Sequence, residues 1–190
     1  IYDDFSTDTT SEYERFDPDK WDYYFRYGYG AKTTANWTME ITDINAINWG
    51  GGICIGMSGE NGTTITNRTY FDIRYNTDIG ATESTAVVKF RCQNSSGSTD
   101  SGSWEAVLTE GNTYEFKIIV TDTYCRGIIT TTSGSEVFNE TLTSYIPEKL
   151  EYKWIGLLNY NDAGSVFEWS SSEGGYLHIK SQGAGGSGDQ

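Results

Sequence analysis

Aromatic faces, paired carboxylates and a single imidazole are the residues of this chain suited to chemistry, and their spacing sorts them. Trp49 lies in the turn-like run Asn48-Trp49-Gly50-Gly51, Trp104 follows the Ser/Gly-rich stretch 95–103, and Tyr160 is flanked by Asn159, Asn161 and Asp162. An aromatic face stacks on the apolar side of a sugar ring, while neighbouring Asn and Asp side chains hydrogen-bond its hydroxyls. Trp49, Trp104, Tyr160, Asn161 and Asp162 are therefore the candidate glycan-binding residues. Glu12 and Glu14 have the two-residue spacing that puts carboxylates on one face of a strand, as an acid–base pair requires. They sit in a polar, turn-rich region, and solvated acids are the better reading. His178, the single histidine, alternates with Tyr176 and Lys180 on the outer face of a strand. No Gly-x-Ser-x-Gly elbow accompanies it, and no Gly-x-x-x-x-Gly-Lys-Ser/Thr loop occurs. The expectation is a protein without catalytic residues.

Asn36, Asn61, Asn67, Asn94 and Asn139 each open an Asn-x-Ser/Thr triplet. Such a triplet accepts an N-linked glycan at a surface position outside the cytosol. These asparagines are the candidate glycosylation sites, and together they point to an extracellular or cell-surface protein. In the segment that follows Asn36, alternation turns Trp37, Met39 and Ile41 inward and leaves Asn36 and Thr38 facing solvent.

Composition narrows the partners. The 190 residues include 27 acidic and 13 basic ones, a formal net charge of -14. That balance repels nucleic-acid phosphates and anionic headgroups, and no apolar run approaches the roughly 20 residues that span a bilayer. Neither nucleic-acid binding nor membrane insertion is expected. Asp3, Asp4, Asp17 and Asp19 offer the oxygen donors that calcium prefers, though no Asp-x-Asp-x-Asp-Gly loop frames them. No cofactor is expected, and a structural calcium stays open. Cys54, Cys92 and Cys125 are too widely spaced to be the paired ligands of a structural zinc. A Cys92–Cys125 bridge and a set of small buried thiols are equal alternatives. The opening Ile1-Tyr2-Asp3-Asp4 reads as a mature N-terminus after signal removal.

The elements that must position these residues are strands. In Tyr114–Val120, Tyr114, Phe116, Ile118 and Val120 share one face and Glu115 and Lys117 the other. The same alternation runs through Trp37-Met39-Ile41, Phe71-Ile73-Tyr75, Val88-Phe90-Cys92 and Leu177-Ile179, with Trp37 and Trp154 read as core. Further strands are expected near 21–26, 53–57, 125–130, 136–139, 154–158 and 166–169. About a dozen strands in one domain imply two packed antiparallel sheets. Residues 1–182 are expected to form one β-sandwich domain and 183–190 a Gly/Ser-rich tail.

The succession Asp3-Asp4-Phe5-Ser6, the strand at Trp21, Gly111–Ile118, Gly134–Phe138, Trp154-Ile155-Gly156-Leu157, Phe167-Glu168-Trp169 and Tyr176–Ile179 resembles the concanavalin A-like lectin/glucanase superfamily, including laminin-G-like modules. The resemblance covers residues 1–182 and implies an all-β, two-sheet antiparallel jelly-roll sandwich. It also implies a choice among lectin, adhesion module and polysaccharide hydrolase, which the fold alone does not make. The hydrolase branch carries a Glu-x-Asp-x-(x)-Glu strand, and no segment here matches it. The functional expectation is a secreted, N-glycosylated, non-catalytic surface protein acting by assembly or recognition. Assembly would make it a homo-oligomer or a polymer subunit of a filament or coat. The alternative is a carbohydrate-binding module, and a divergent polysaccharide hydrolase ranks below both.

Overall fold

The computed structural model describes residues 67–74 and 77–148 and Gly56 in full, together with the backbone of the strands outside that range. In chain order the strands are β1 (Tyr2–Asp3), β2 (Glu14–Phe16), β3 (Tyr23–Tyr27), β4 (Thr34–Glu40), β5 (Gly52–Ser58), β6 (Arg68–Arg74) and β7 (Thr85–Asn94). They continue with β8 (Gly97–Asp100), β9 (Glu105–Thr109), β10 (Thr113–Val120), β11 (Cys125–Thr131), β12 (Glu136–Leu142), β13 (Trp154–Tyr160) and β14 (Leu177–Lys180). They form two antiparallel sheets. The smaller runs β1-β14-β4-β10-β11-β12; the larger runs β2-β3-β13-β5-β6-β7-β8, with β9 also paired to β7. The first and last strands pair with each other, so the chain closes on itself within the smaller sheet. This is an all-β, two-sheet antiparallel sandwich, as expected from the sequence.

Alternation drives the layering. In β10 the burial of Tyr114, Phe116, Ile118 and Val120 against exposed Glu115 and Lys117 follows the two-residue period of the sequence. Register then aligns Trp37 with Phe116 and Met39 with Tyr114, on the row that faces the core. Asn36 falls opposite exposed Lys117, and His178 opposite Thr38, which pairs with exposed Glu115. Between the sheets, Phe71 of β6 is fully buried with its ring 5.2 Å from Phe90, 5.4 Å from Phe116 and 6.0 Å from Phe138. Residues from both sheets therefore meet in one aromatic cluster, in edge and tilted geometries that suit ring quadrupoles.

Two glycines make the packing. At Gly127 of β11 a Cβ would lie 2.5 Å from the Phe90 ring and 2.9 Å from that of Phe71. Only a residue without a side chain lets the two rings seat there. Gly127→Ala is expected to destabilise the fold by about 1–3 kcal/mol through overpacking, which a urea titration would register; an unchanged midpoint would show that the rings can shift freely. At Gly56 a Cβ would come within 2.4 Å of the Thr69 carbonyl oxygen, so β5 and β6 approach too closely there for any side chain.

Cys92 and Cys125 face each other from β7 and β11 as free, fully buried thiols. The Cys92 thiol donates to the Ser144 carbonyl at 3.1 Å. The hydrogen bond between the two thiols, with burial behind it, pushes Cys125 well above the ordinary thiol range, and the same bond holds Cys92 below that range against the opposing effect of burial. Of the two alternatives the sequence left open, the described state is the pair of buried thiols.

Trp37 and Trp154, both expected in the core, belong to strands of which only the backbone is described, so their side chains lie outside the described residues. The strand expected at 166–169 and the tail at 183–190 lie outside the described residues.

Candidate functional site

Paired strands β6 and β7 send Phe71, Ile73, Val88, Phe90 and Cys92 into the core, each fully buried. Alternation must then send the residues between them to the opposite, outer face of the larger sheet. Those residues are Arg68, Tyr70, Asp72 and Arg74 on β6 and Lys89 and Arg91 on β7. Register sets Asp72 beside Lys89, Tyr70 beside Arg91, and Arg91 beside Asp100 of β8. A basic patch thus forms on a strongly acidic chain.

Asp72 sits at its centre and is 1% exposed. A buried carboxylate is tolerated only with close counter-charge, and two guanidiniums provide it. Arg74 grips it as a fork, its Nε donating to Oδ1 at 2.9 Å and its Nη2 to Oδ2 at 3.0 Å. Arg91 Nε lies 3.0 Å from Oδ2. Its N–H is nonetheless not directed at that oxygen or at any other acceptor, so this contact is an ion pair without a hydrogen bond. Asp100 Oδ2 faces the same cations more loosely, 3.6 Å from Lys89 Nζ and 3.4 Å from Arg91 Nη1.

Trp104 completes the cluster. Its ring centre lies 5.1 Å from Arg74 Cζ, 5.1 Å from Lys89 Nζ and 5.7 Å from Arg91 Cζ. These are cation–π distances, and all the cations rise from one sheet face. The β8–β9 connection carries the indole into place. The Ser101 amide donates to the Phe90 carbonyl at 2.9 Å, the Phe90 amide to Ser101 Oγ at 3.2 Å, and the Gly102 amide to Asp100 Oδ1 at 2.8 Å. Asp100 therefore fixes the loop with one oxygen and meets the cations with the other.

Beyond β6, register continues the outer face into β5, β13 and β3. The row through Arg91 and Tyr70 runs on to Gly56, Gly156 and Phe25, and the row through Arg68 to Ser58, Trp154 and Tyr27.

A separate pair of carboxylates joins the two layers. Burial raises Glu105 of β9 above the ordinary carboxylate range, and the nearby charge of Glu140 on β12 adds to it. A raised carboxyl pKa means the folded state binds the proton more tightly than the unfolded chain, so folding carries a penalty at neutral pH that fades as pH falls through the raised value. Glu105→Gln is expected to stabilise the protein at pH 7 and to lose that advantage below about pH 4. Melting curves across pH would check this, and a destabilised variant at pH 7 would contradict it.

Of the residues expected from sequence, Trp104 is at the centre of the cluster. Tyr160 ends β13 at a register position opposite Gly52, while Trp49, Asn161 and Asp162 lie outside the described residues. Asp4, Asp17 and Asp19 also lie outside them, and of Asp3 only the strand backbone is described. Among the described residues no three His, Cys, Asp or Glu side chains converge as a metal site. Asn67 is 8% exposed and its Oδ1 accepts the Glu148 amide at 3.2 Å. Asn94 donates to the Ile146 carbonyl at 3.0 Å and accepts the Ser96 amide at 2.8 Å. Asn139 accepts from Arg126 Nε and donates to Glu136 Oε1, both at 2.8 Å. Asn61 lies outside the described residues. Asp72, Arg74, Lys89, Arg91 and Asp100 were not singled out, although basic residues alternating with core residues on two neighbouring strands were the available signal.

No family model matches the chain, and no curated protein matches its sequence. Solved structures do match its fold. Tailspike protein 2 of an Escherichia coli bacteriophage aligns at 10% identity and a TM-score of 0.50, over 94% of this chain and 24% of that one. Alginate lyase from Klebsiella pneumoniae aligns at 13% identity and 0.48, over 80% and 60%. The exoplasmic/lumenal domain of VIP36, in a form bound to calcium and mannose, aligns at 9% identity and 0.41, over 94% and 89%. The chain thus spans less than two thirds of the tailspike and the lyase. At these identities the likeness is one of fold alone, a two-sheet antiparallel β-sandwich. Among the described residues no helix is long and apolar enough to cross a membrane.

Proposed function

We propose that the chain is an extracellular, non-catalytic recognition module that binds a glycan on the outer face of its larger sheet. The observation that carries this reading is Trp104, held half-buried against Arg74, Lys89 and Arg91 by a hydrogen-bonded loop. An indole fixed over a rigid sheet presents a stacking surface at little cost in conformational entropy. Polar groups around it supply orientation. A glycan array read with and without a chelator tests the reading. Binding to at least one glycan class supports it, with chelator sensitivity reporting calcium. Silence under both conditions rejects it.

N-glycosylation belongs to the same proposal. Asn36 pairs in register with exposed Lys117 and is the acceptor we favour, whereas Asn67 is buried and the amides of Asn94 and Asn139 are engaged. Mass spectrometry of native protein, before and after glycosidase, would show sugar at Asn36 and none at Asn67; an unmodified chain would remove export by this route. Self-assembly is the second reading, because β12 is an outer strand of its sheet. Glu136 and Glu140 lie on that strand, and like charges along an edge work against pairing with a second copy. Light scattering at high concentration decides: growth in mass supports assembly, and strict monomers reject it.

A further inference from the structure

The charge of the patch specifies the glycan further. We propose that the ligand is an acidic polysaccharide, and that Lys89 and Arg91 beside Trp104 take the carboxylate of a uronic acid residue. This rests on the glycan-binding reading above and narrows its substrate class.

The geometry of the cations carries the argument. Lys89 Nζ and Arg91 Nη1 share one carboxylate oxygen, Asp100 Oδ2, at 3.6 and 3.4 Å, longer than the roughly 2.7–2.9 Å of a charge-assisted hydrogen bond. The Arg74 fork on Asp72, at 2.9 and 3.0 Å, is the close form of the same pairing. Arg91 Nε is enclosed without a directed acceptor. Two cations are therefore held beside Trp104 with a loose counter-charge.

Local charge agrees. Among the described residues, Arg74, Lys89 and Arg91 against Asp72 and Asp100 leave one positive charge, on a chain whose total is -14. A neutral sugar could accept from these donors only through hydroxyl and ring oxygens, without the gain of a charge-assisted bond. A carboxylate on a pyranose stacked at Trp104 would accept from both side chains. The planar guanidinium of Arg91 matches a planar carboxylate as a fork, which a tetrahedral sulfate fits less well.

Calorimetric titration with four ligand sets tests it: uronic acid oligomers, the same oligomers with their carboxyl groups reduced to alcohols, sulfated galactan oligomers, and neutral β-glucan oligomers. We expect the uronates to bind and their reduced counterparts to bind at least about tenfold more weakly, since a hydrogen bond to a charged group is worth that much. Affinity for the uronates should fall with added salt. Lys89→Gln and Arg91→Gln should each cost about tenfold on the uronates and leave any neutral ligand unaffected. Arg91→Lys, which keeps charge but not the fork, should recover part of the loss. Equal binding of acidic and reduced oligomers overturns the carboxylate assignment while leaving glycan binding standing, and preference for sulfate overturns it too. If no sugar binds at all, the underlying reading fails with it. The comparison of native and reduced ligands uses the wild-type protein, so it holds even where a variant does not fold.

Discussion

Asp72→Ala is expected to lower the unfolding free energy by about 3 kcal/mol, at the lower end of the range for breaking a buried ion pair. Asp72 is 1% exposed and faces Arg74 and Arg91 at 2.9–3.0 Å. Removing it leaves two guanidiniums and the Lys89 ammonium crowded against one indole with only Asp100 as counter-charge. The arginine side chains are 26% and 29% exposed, so water relieves part of the repulsion and keeps the loss from the upper end. Asp72→Asn should cost nearly as much, because shape is kept and charge is lost. Added salt should restore little, since the carboxylate is shielded from ions. A urea titration reads this directly. A loss under about 0.5 kcal/mol would place Asp72 among surface ion pairs of little consequence.

Trp104→Ala is the second large expectation, and it separates binding from folding. An aromatic anchor at the centre of an interface contributes 2 kcal/mol or more, so affinity for the glycan should fall at least about thirtyfold. Stability should change far less. The cation–π contacts contribute roughly 0.5–1 kcal/mol at a half-exposed site, and the loop keeps its own hydrogen bonds through Ser101 and Asp100. Trp104→Phe should retain an intermediate affinity, because a smaller ring still stacks. Equal affinity of Trp104→Ala and wild type would remove the indole from the site.

What could be read in advance divides along physical lines. Period-two burial is local, so β10 was legible in Tyr114–Val120, and Cys92 was placed inward by its parity with Val88 and Phe90. Trp104 stood out as a candidate because it follows a Ser/Gly stretch, and it sits among Arg74, Lys89 and Arg91; its role is the proposal above. The cationic cluster was not, since Arg74, Lys89 and Arg91 become neighbours only through the β6–β7 register, and pairing is a long-range property. Strand β8 was invisible for a related reason. Gly97-Ser98-Thr99-Asp100 has no apolar alternation and is held at the rim by backbone pairing with β7.

Where a ligand sits is the most direct question. A two-dimensional amide NMR titration of the full chain with uronic acid oligomers answers it. Shifts concentrated at the Trp104 indole N–H and at the amides of Asp72, Lys89 and Arg91 are the expected result. Perturbation confined to β10–β12 of the opposite sheet, or none at saturating ligand, would contradict it.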